Sequence, residues 1–316
     1  MITLVTEGVA PLNFDEPLTL IFLFFTFAFG ASLGSFTNVV IYRLPLDMSV
    51  VHPASSCPTC KRAIRWYENV PILSYLILRG RCAGCGSSIS VQYPLIELAL
   101  GVWSVALGAR YLWPLWSQPD LWVYDPSLLI TSALTWLWFT LFACALVAIT
   151  LIDLRYTFVP DEISINGIWL ALIGGFFLQR PEPLDHFFGA LVGYSAIISI
   201  RAIGYAIYRR EAMGLGDAKL LALIGGFLGW TALPLLLFAA AVQGLVAAAI
   251  ALSYSRVTGR SNVLTLTSTE LDERFGEEGM YAQQRIMLVM PFGPFLCIAA
   301  FEVLMLGEAT LWRWVS

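Results

Sequence analysis

The chain has 316 residues, 58% of them hydrophobic and only 13% charged, with a formal charge of −4 and a mean hydropathy of +0.75. A soluble domain cannot cover that much apolar surface, so the chain reads as a polytopic membrane protein. The acidic balance argues against nucleic acid as a partner.

A helix needs about 20 apolar residues to cross a bilayer. Eight stretches qualify: 17–41, 94–113, 128–152, 163–178, 186–208, 219–236, 238–255 and 286–307, with a tight turn expected near Pro234 between the sixth and seventh. The expected fold is therefore an all-α polytopic membrane protein with about eight transmembrane helices. No Lys or Arg precedes Arg43, while Glu7, Asp15 and Glu16 are acidic. A cleavable signal peptide needs a basic start, so the first run is expected to be a retained helix with its N-terminus outside. With that orientation, fourteen Lys and Arg residues fall in inner loops and three (Arg110, Arg180, Arg313) in outer segments. This is the positive-inside bias. Arg201 lies inside the fifth span, within snorkelling reach of its inner end. Four regions follow: residues 1–45 (outer segment and first helix), 46–93 (inner loop domain), 94–127 (second helix and outer loop) and 128–316 (the remaining core).

The first span carries Gly30 and Gly34, a small-xxx-small face that favours close helix packing. Asn38, one turn further, needs a polar partner there; helix packing and lining a site are both open to it. The span ends on the basic stop Tyr42-Arg43-Leu44-Pro45.

Residues 46–93 contain Cys57-Pro58-Thr59-Cys60 and Cys82-Ala83-Gly84-Cys85, with 21 residues between the pairs. Two CxxC hooks deliver four sulfurs to one tetrahedron, so Cys57, Cys60, Cys82 and Cys85 form a candidate zinc site, most simply a closed structural one. Iron is the other metal that four thiolates hold. On the inner side of the membrane disulfides are disfavoured, and a loop so poor in apolar residues is expected to depend on its metal to fold. Cys144 and Cys297 lie in apolar runs and read as small packing residues.

The second span opens on Gln92-Tyr93-Pro94-Leu95-Ile96-Glu97. Glu97 is a carboxylate inside the bilayer, where a functional role and a hydrogen bond to a neighbouring helix are the two readings. The loop 114–127, rich in Trp, Tyr and Asp, reads as an interfacial belt.

Two aspartates then stand out. Asp153 terminates the third span, and Asp217 sits at the mouth of the sixth within Gly214-Leu215-Gly216-Asp217-Ala218-Lys219. A carboxylate at the edge of hydrocarbon must be hydrated, paired or protonated. Asp161, after Pro160 and before Glu162, has a helix-start pattern and is assigned to capping; Asp153 has no such local explanation. Asp153 and Asp217 fall at one membrane depth on separate helices, where they can share a proton, one acting as base on a water and the other as acid. The glycines before Asp217 leave bare backbone that another chain can approach, and Lys219 is expected to tune local charge. Leu170–Phe176 and Leu221–Phe227 repeat one motif at an offset of 51, whereas the aspartates are 64 apart. The repeat is therefore read as glycine packing, with Gly225 and Gly229 forming a second small-xxx-small face. The acid-rich segment 256–285 reads as a solvated inner loop, and Pro291-Phe292-Gly293-Pro294-Phe295 as a packed start to the last helix.

These motifs, in this order, resemble the bacterial type IV prepilin peptidases, membrane aspartic proteases of the GxGD type. The resemblance covers nearly the whole chain: Gly34 through Pro45, both CxxC pairs, Tyr93 through Glu97, Asp153 through Asp161, Gly214 through Leu220, and Pro291 through Phe295. It implies that Asp153 and Asp217 are the catalytic pair. It also implies cleavage of prepilin or pseudopilin leaders after a glycine at the cytoplasmic face of the bacterial inner membrane. The new terminal amine is then N-methylated with S-adenosylmethionine. The implied partners are substrates with an apolar N-terminal helix, and membrane lipid. No sequence fingerprint marks a methyl-donor site; Glu97 and Asn38 are the nearest candidates. The segment 261–285 is longer than the family pattern. Two rival readings are an ion-coupled transporter using Asp153, Asp217 and Glu97 as a proton relay, and an assembly protein that recruits through its zinc loop. Transporter carboxylates cluster at the bilayer midplane rather than at span ends, and an assembly role does not explain the two aspartates.

Overall fold

The computed structural model describes residues 16–178, 183–209, 214–258, 265–266, 287–288 and 291–307. The described residues are almost entirely helical: α1 (Pro17–Arg43), α2 (Leu73–Ile77), α3 (Gln92–Tyr111), α4 (Trp113–Trp116), α5 (Pro119–Tyr124), α6 (Pro126–Tyr156), α7 (Asp161–Leu178), α8 (Pro183–Tyr208), α9 (Leu215–Leu228), α10 (Leu233–Thr258) and α11 (Gly293–Leu306). Two two-residue strands, Thr265–Leu266 and Met287–Leu288, pair antiparallel, a small departure from the expected all-α composition.

Five of these helices, α1, α6, α7, α8 and α10, are long and apolar enough to cross a membrane. Three of the eight expected spans are not among these five: 94–113, which forms the 20-residue α3, and the sixth and last, whose bounds differ from the expected ones. The expected sixth span, 219–236, ends at Leu228 because Gly229 takes a left-handed φ of 88° and closes the helix. The turn falls there, not at Pro234, which sits in the first turn of α10 where a missing N–H costs nothing. The last span begins at Gly293 rather than 286, leaving a helix of 14 residues. The outer N-terminal segment 1–15 and most of the acidic loop 261–285 lie outside the described residues.

The helices group into two units. One holds the described residues up to Ile152 together with the helix from Glu162. Here α1 and α3 pack along the predicted glycine face. A side chain at Gly30 would overlap Ser104 and the Leu100 carbonyl, and one at Gly34 would come within 2.7 Å of the Glu97 Cα. Close approach brings polar groups into register: Ser104 Oγ donates to the Thr26 carbonyl at 2.8 Å, and Trp136 Nε1 donates to the Ser104 carbonyl at 2.9 Å. Such interhelical bonds stabilise membrane bundles by on the order of 0.6 kcal/mol each.

The second unit holds Asp153–Asp161 and the described residues from Leu184 onward. Its α8 and α9 meet through glycine on both sides: a Cβ on Gly189 would enter the Gly225 carbonyl, and the Gly229 carbonyl carbon lies 3.0 Å from the same point. The small-xxx-small face read at Gly225 and Gly229 is therefore a contact surface. Every residue of α9 from Leu220 to Phe227 is buried.

Candidate functional site

Asp153 lies in the last turn of α6, which stops at Tyr156 because Thr157 adopts a left-handed φ of 56° while its N–H bonds the Asp153 carbonyl at 2.9 Å. The Asp153 side chain is 5% exposed. Asp217 is the third residue of α9. The two carboxylates belong to one unit and lie close enough for the charge of one to act on the other.

Each carboxylate has a main-chain donor. The Gly214 N–H bonds Asp217, reaching back from just outside the helix. The N–H of Gly293, first residue of α11, bonds Asp153. A Cβ at 293 would overlap Asp153 Oδ2, so a side chain there would displace the Asp153 carboxylate. Gly293 and Pro294 are buried, in keeping with the packing role expected for Pro291–Phe295, and the segment also places a donor on Asp153. The only sequence signal was a glycine held between two prolines.

The connection from α6 to α7 is also tied to α9. Val159 Cβ lies 3.1 Å from where a Gly216 side chain would start. Asp161, whose sequence pattern pointed only to a helix start, forms an ion pair with Lys219 at 2.6 Å. The lysine beside Asp217 therefore neutralises the aspartate that is not part of the pair.

In the first unit the four cysteine sulfurs converge, all within 4.8 Å of one another, with Cys57–Cys85 at 3.9 Å and Cys60–Cys82 at 4.0 Å. A tetrahedron with Zn–S of about 2.3 Å has sulfur–sulfur edges of about 3.8 Å, so the residues fit zinc. The hooks are built alike. Cys57 N–H bonds the Arg62 carbonyl and Cys82 N–H bonds the Ser87 carbonyl. Each hook turns on a left-handed residue four positions after its first cysteine, Lys61 (φ 58°) and Gly86 (φ 73°). N–H groups of Cys60 and Thr59 and the Ser87 hydroxyl hold the Cys57 thiol down to about 5. Although the Arg62 N–H bonds Cys60, burial and the neighbouring sulfurs push that thiol up to about 11. Four sulfurs this close cannot all ionise without a cation among them. Arg62 also grips Glu68 at 2.8 Å, bracing the first hook.

Glu97 and Asn38 both lie on the α1–α3 seam. Asn38 Nδ2 donates to the carbonyls of Gly34 and Tyr93, each at 3.2 Å. Glu97, 7% exposed, accepts the Ile72 N–H at 2.7 Å and a bond from Ser35. Neither residue belongs to the unit that holds Asp153 and Asp217.

Fold and site together define a helical integral membrane protein with a carboxylate pair on one unit and a four-thiolate centre on the other. Two family models match the chain: the bacterial peptidase A24 N-terminal domain over residues 28–111, and the type IV leader peptidase family over residues 140–249. Among curated relatives, the prepilin leader peptidase/N-methyltransferase of Myxococcus xanthus is 33% identical over 91% of each chain. That of Neisseria gonorrhoeae is 35% identical over 70% of this chain and 79% of its own. That of Pseudomonas aeruginosa is 31% identical over 92% of each. No solved structure matches the chain. The chain belongs to the prepilin leader peptidase/N-methyltransferase family.

Proposed function

We propose that the chain cleaves the leader of type IV prepilins or pseudopilins and N-methylates the new terminal residue, with Asp153 and Asp217 as the catalytic pair. The observation that supports the assignment of residues is that the charge of Asp217 acts on Asp153 and that each carboxylate is bonded by its own main-chain N–H, at helix ends of one unit. One carboxylate takes a proton from water, and the water oxygen attacks the scissile carbonyl. The other, protonated, stabilises the tetrahedral oxygen and gives its proton to the departing amine as the C–N bond breaks. The Gly293 and Gly214 donors keep both side chains in position throughout.

The substrate is a chain with an apolar N-terminal helix lying in the inner membrane and its leader in the cytoplasm, which brings the scissile bond to the membrane edge. Zinc, when bound, ties the two hooks of residues 57–85 into one closed structural unit. S-adenosylmethionine, when bound, supplies the methyl group. The transporter reading finds no support in a family whose members are named as peptidases.

Membranes carrying the chain are expected to cleave a prepilin-like substrate, and Asp217→Asn is expected to abolish cleavage. Mass spectrometry of the wild-type product is expected to show one added methyl on the new terminus. Near-wild-type cleavage by Asp217→Asn would overturn the pair.

A further inference from the structure

The loop domain of the first unit contains one stretch that does not suit water. Val70-Pro71-Ile72-Leu73-Ser74-Tyr75-Leu76-Ile77-Leu78 carries no charge. It includes α2, on which Leu73, Leu76 and Ile77 recur at the i, i+3, i+4 spacing of one helix face. All three side chains are more than half exposed. Ser74 between them is buried and turned back to the loop: its Oγ donates to the Tyr67 carbonyl at 3.0 Å and accepts the Val70 N–H at 2.8 Å. A contiguous apolar face left open in this way marks a surface that something covers.

The depth of that face is set by α1 and α3. Glu97 accepts the Ile72 N–H at 2.7 Å, which ties the start of α2 to the side of α3. At the same level α3 touches α1, where a Cβ on Gly34 would lie 2.7 Å from the Glu97 Cα. Gly34 stands seven residues before Ile41, the end of the apolar run in a helix long enough to cross a membrane. At about 1.5 Å per residue, α2 therefore starts about 10 Å below the Arg43 end of that run. That level is acyl chain, not water. The backbone agrees: the N–H groups of Val70, Ile72, Leu73, Ser74, Leu76 and Leu78 all bond within the chain, as hydrocarbon requires.

Charge and aromatic rings border the apolar face. Arg79 and Arg81 follow α2 directly, and both are exposed. The turn Trp66–Glu68 packs against α2 and presents Trp66 and Tyr67, both exposed, with the Arg65 guanidinium donating to the Tyr67 hydroxyl at 2.5 Å. Aromatic rings and arginines at the rim of an apolar face suit the interface of an anionic leaflet, where rings sit at headgroup level and cations meet lipid phosphates. Arg79 and Gly80 then take left-handed φ values of 52° and 66° and turn the chain towards Cys82, the first sulfur of the second hook.

We propose that residues 70–78 form a re-entrant segment in the leaflet on the Arg43 side of the membrane, with Leu73, Leu76 and Ile77 among the acyl chains and Arg79 and Arg81 on anionic headgroups. The loop domain, expected from sequence to stand wholly outside the bilayer, is anchored in it through this face. The anchor ends four residues before Cys82, so it holds the thiolate centre against the membrane surface. Lipid is the occupant because the face lies at acyl depth and its rim is cationic. The inference goes beyond the catalytic reading and does not depend on it.

The test is the immersion depth of a nitroxide at position 77, in full-length protein in phosphatidylcholine–phosphatidylglycerol nanodiscs without substrate. The label is carried by Ile77→p-acetylphenylalanine, which leaves the cysteines untouched, and depth is read by power saturation with oxygen and a water-soluble nickel chelate. The label is expected about 5–10 Å below the lipid phosphates, with an oxygen-to-nickel accessibility ratio several-fold above that of the same label at Ser88, an exposed position of the loop domain. In discs of phosphatidylcholine alone it is expected to sit shallower, and Arg79→Gln with Arg81→Gln is expected to abolish the difference. Bound metal and an unchanged melting temperature show the labelled protein folded, and Leu76 carries the label where position 77 does not keep the metal. Equal nickel access at 77 and 88 would overturn the proposal, including the case in which a protein partner or the substrate's own helix covers the face. A deep label indifferent to lipid charge would overturn the role of the two arginines.

Discussion

The main-chain N–H of Gly293 bonds the carboxylate of Asp153, and a Cβ at 293 would meet that same carboxylate. A donor fixed by the start of a helix and flanked by Pro291 and Pro294 cannot drift as the carboxylate changes protonation state. That is the condition under which a hydrogen bond aids catalysis rather than following it.

Gly293→Ala is therefore expected to lower leader cleavage by about a hundredfold or more, the size seen when one preorganised donor is lost. The loss is expected in kcat rather than KM, because the donor acts on the Asp153 carboxylate. Steady-state kinetics on a prepilin-like substrate checks it. A variant with wild-type kcat would show that Asp153 does not depend on this donor.

The two glycines of the Gly214–Asp217 motif are predicted to differ. Gly214 has an ordinary extended backbone (φ −74°, ψ 152°), and the nearest atom to an added Cβ is Asp217 Oδ2 at 3.8 Å. At Gly216 the added Cβ would meet Val159 Cβ at 3.1 Å. Gly216→Ala is expected to cut cleavage far more than Gly214→Ala, and Val159→Ala is expected to restore part of the loss. Equal effects of the two single changes would show that substrate approach, not the Val159 contact, sets the requirement.

Lys219 and Asp161 form a partly exposed pair, so its contribution to stability is under about 1 kcal/mol. Its expected importance lies in placing the α6–α7 connection and in balancing the Asp161 charge near the proposed catalytic pair. Asp161→Asn and Lys219→Met should each reduce cleavage several-fold with little change in melting temperature. The exchanged pair Asp161→Lys with Lys219→Asp should recover activity relative to either half alone. No recovery in the exchange would show that the residues act independently.

Zinc binding is expected at one ion per chain and is expected to strengthen as pH rises. The sign follows from proton count: the metal-free hooks hold protons, with the Cys60 thiol up at about 11, whereas the metal-bound sulfurs hold none, so each proton released favours the bound state at higher pH. Cys57 contributes little to this slope near neutrality because its thiol already lies near 5. Metal analysis after chelator dialysis at a series of pH values reads the trend. Cys57→Ser or Cys85→Ser should lose the metal, the fold of residues 46–93 and methylation. Undiminished metal content in both variants would exclude a four-cysteine site.

Much of the molecule was legible in its residues. The membrane class follows from composition. The spacing of the CxxC pairs led to Cys57, Cys60, Cys82 and Cys85, which the fold draws together. Asp153 and Asp217 were singled out because a carboxylate at the edge of hydrocarbon is costly without a purpose. These features are local: a thiol pair, a charge at a span end and a glycine face each carry their physical reason within a few residues. The helix break at Gly229 was misplaced because a proline, the louder signal, stood five residues on, where it began a helix instead of ending one.

Partner choice was settled only by the fold. Asp153 and Gly293 are 140 residues apart, Lys219 and Asp161 are 58 apart, and Glu97 reaches Ile72 across 25. In each case the residue type announced that it needed a partner, and nothing nearby in the chain said which. Within a bilayer that choice depends on which helix faces come close enough to exclude lipid, a property of glycine contacts such as Gly30 on Ser104 and Gly189 on Gly225. The sequence by itself determined that this is a membrane protein and singled out two carboxylates and four thiols. The tertiary structure decided which main-chain groups hold those carboxylates, because only packed helices bring distant donors to a fixed acceptor.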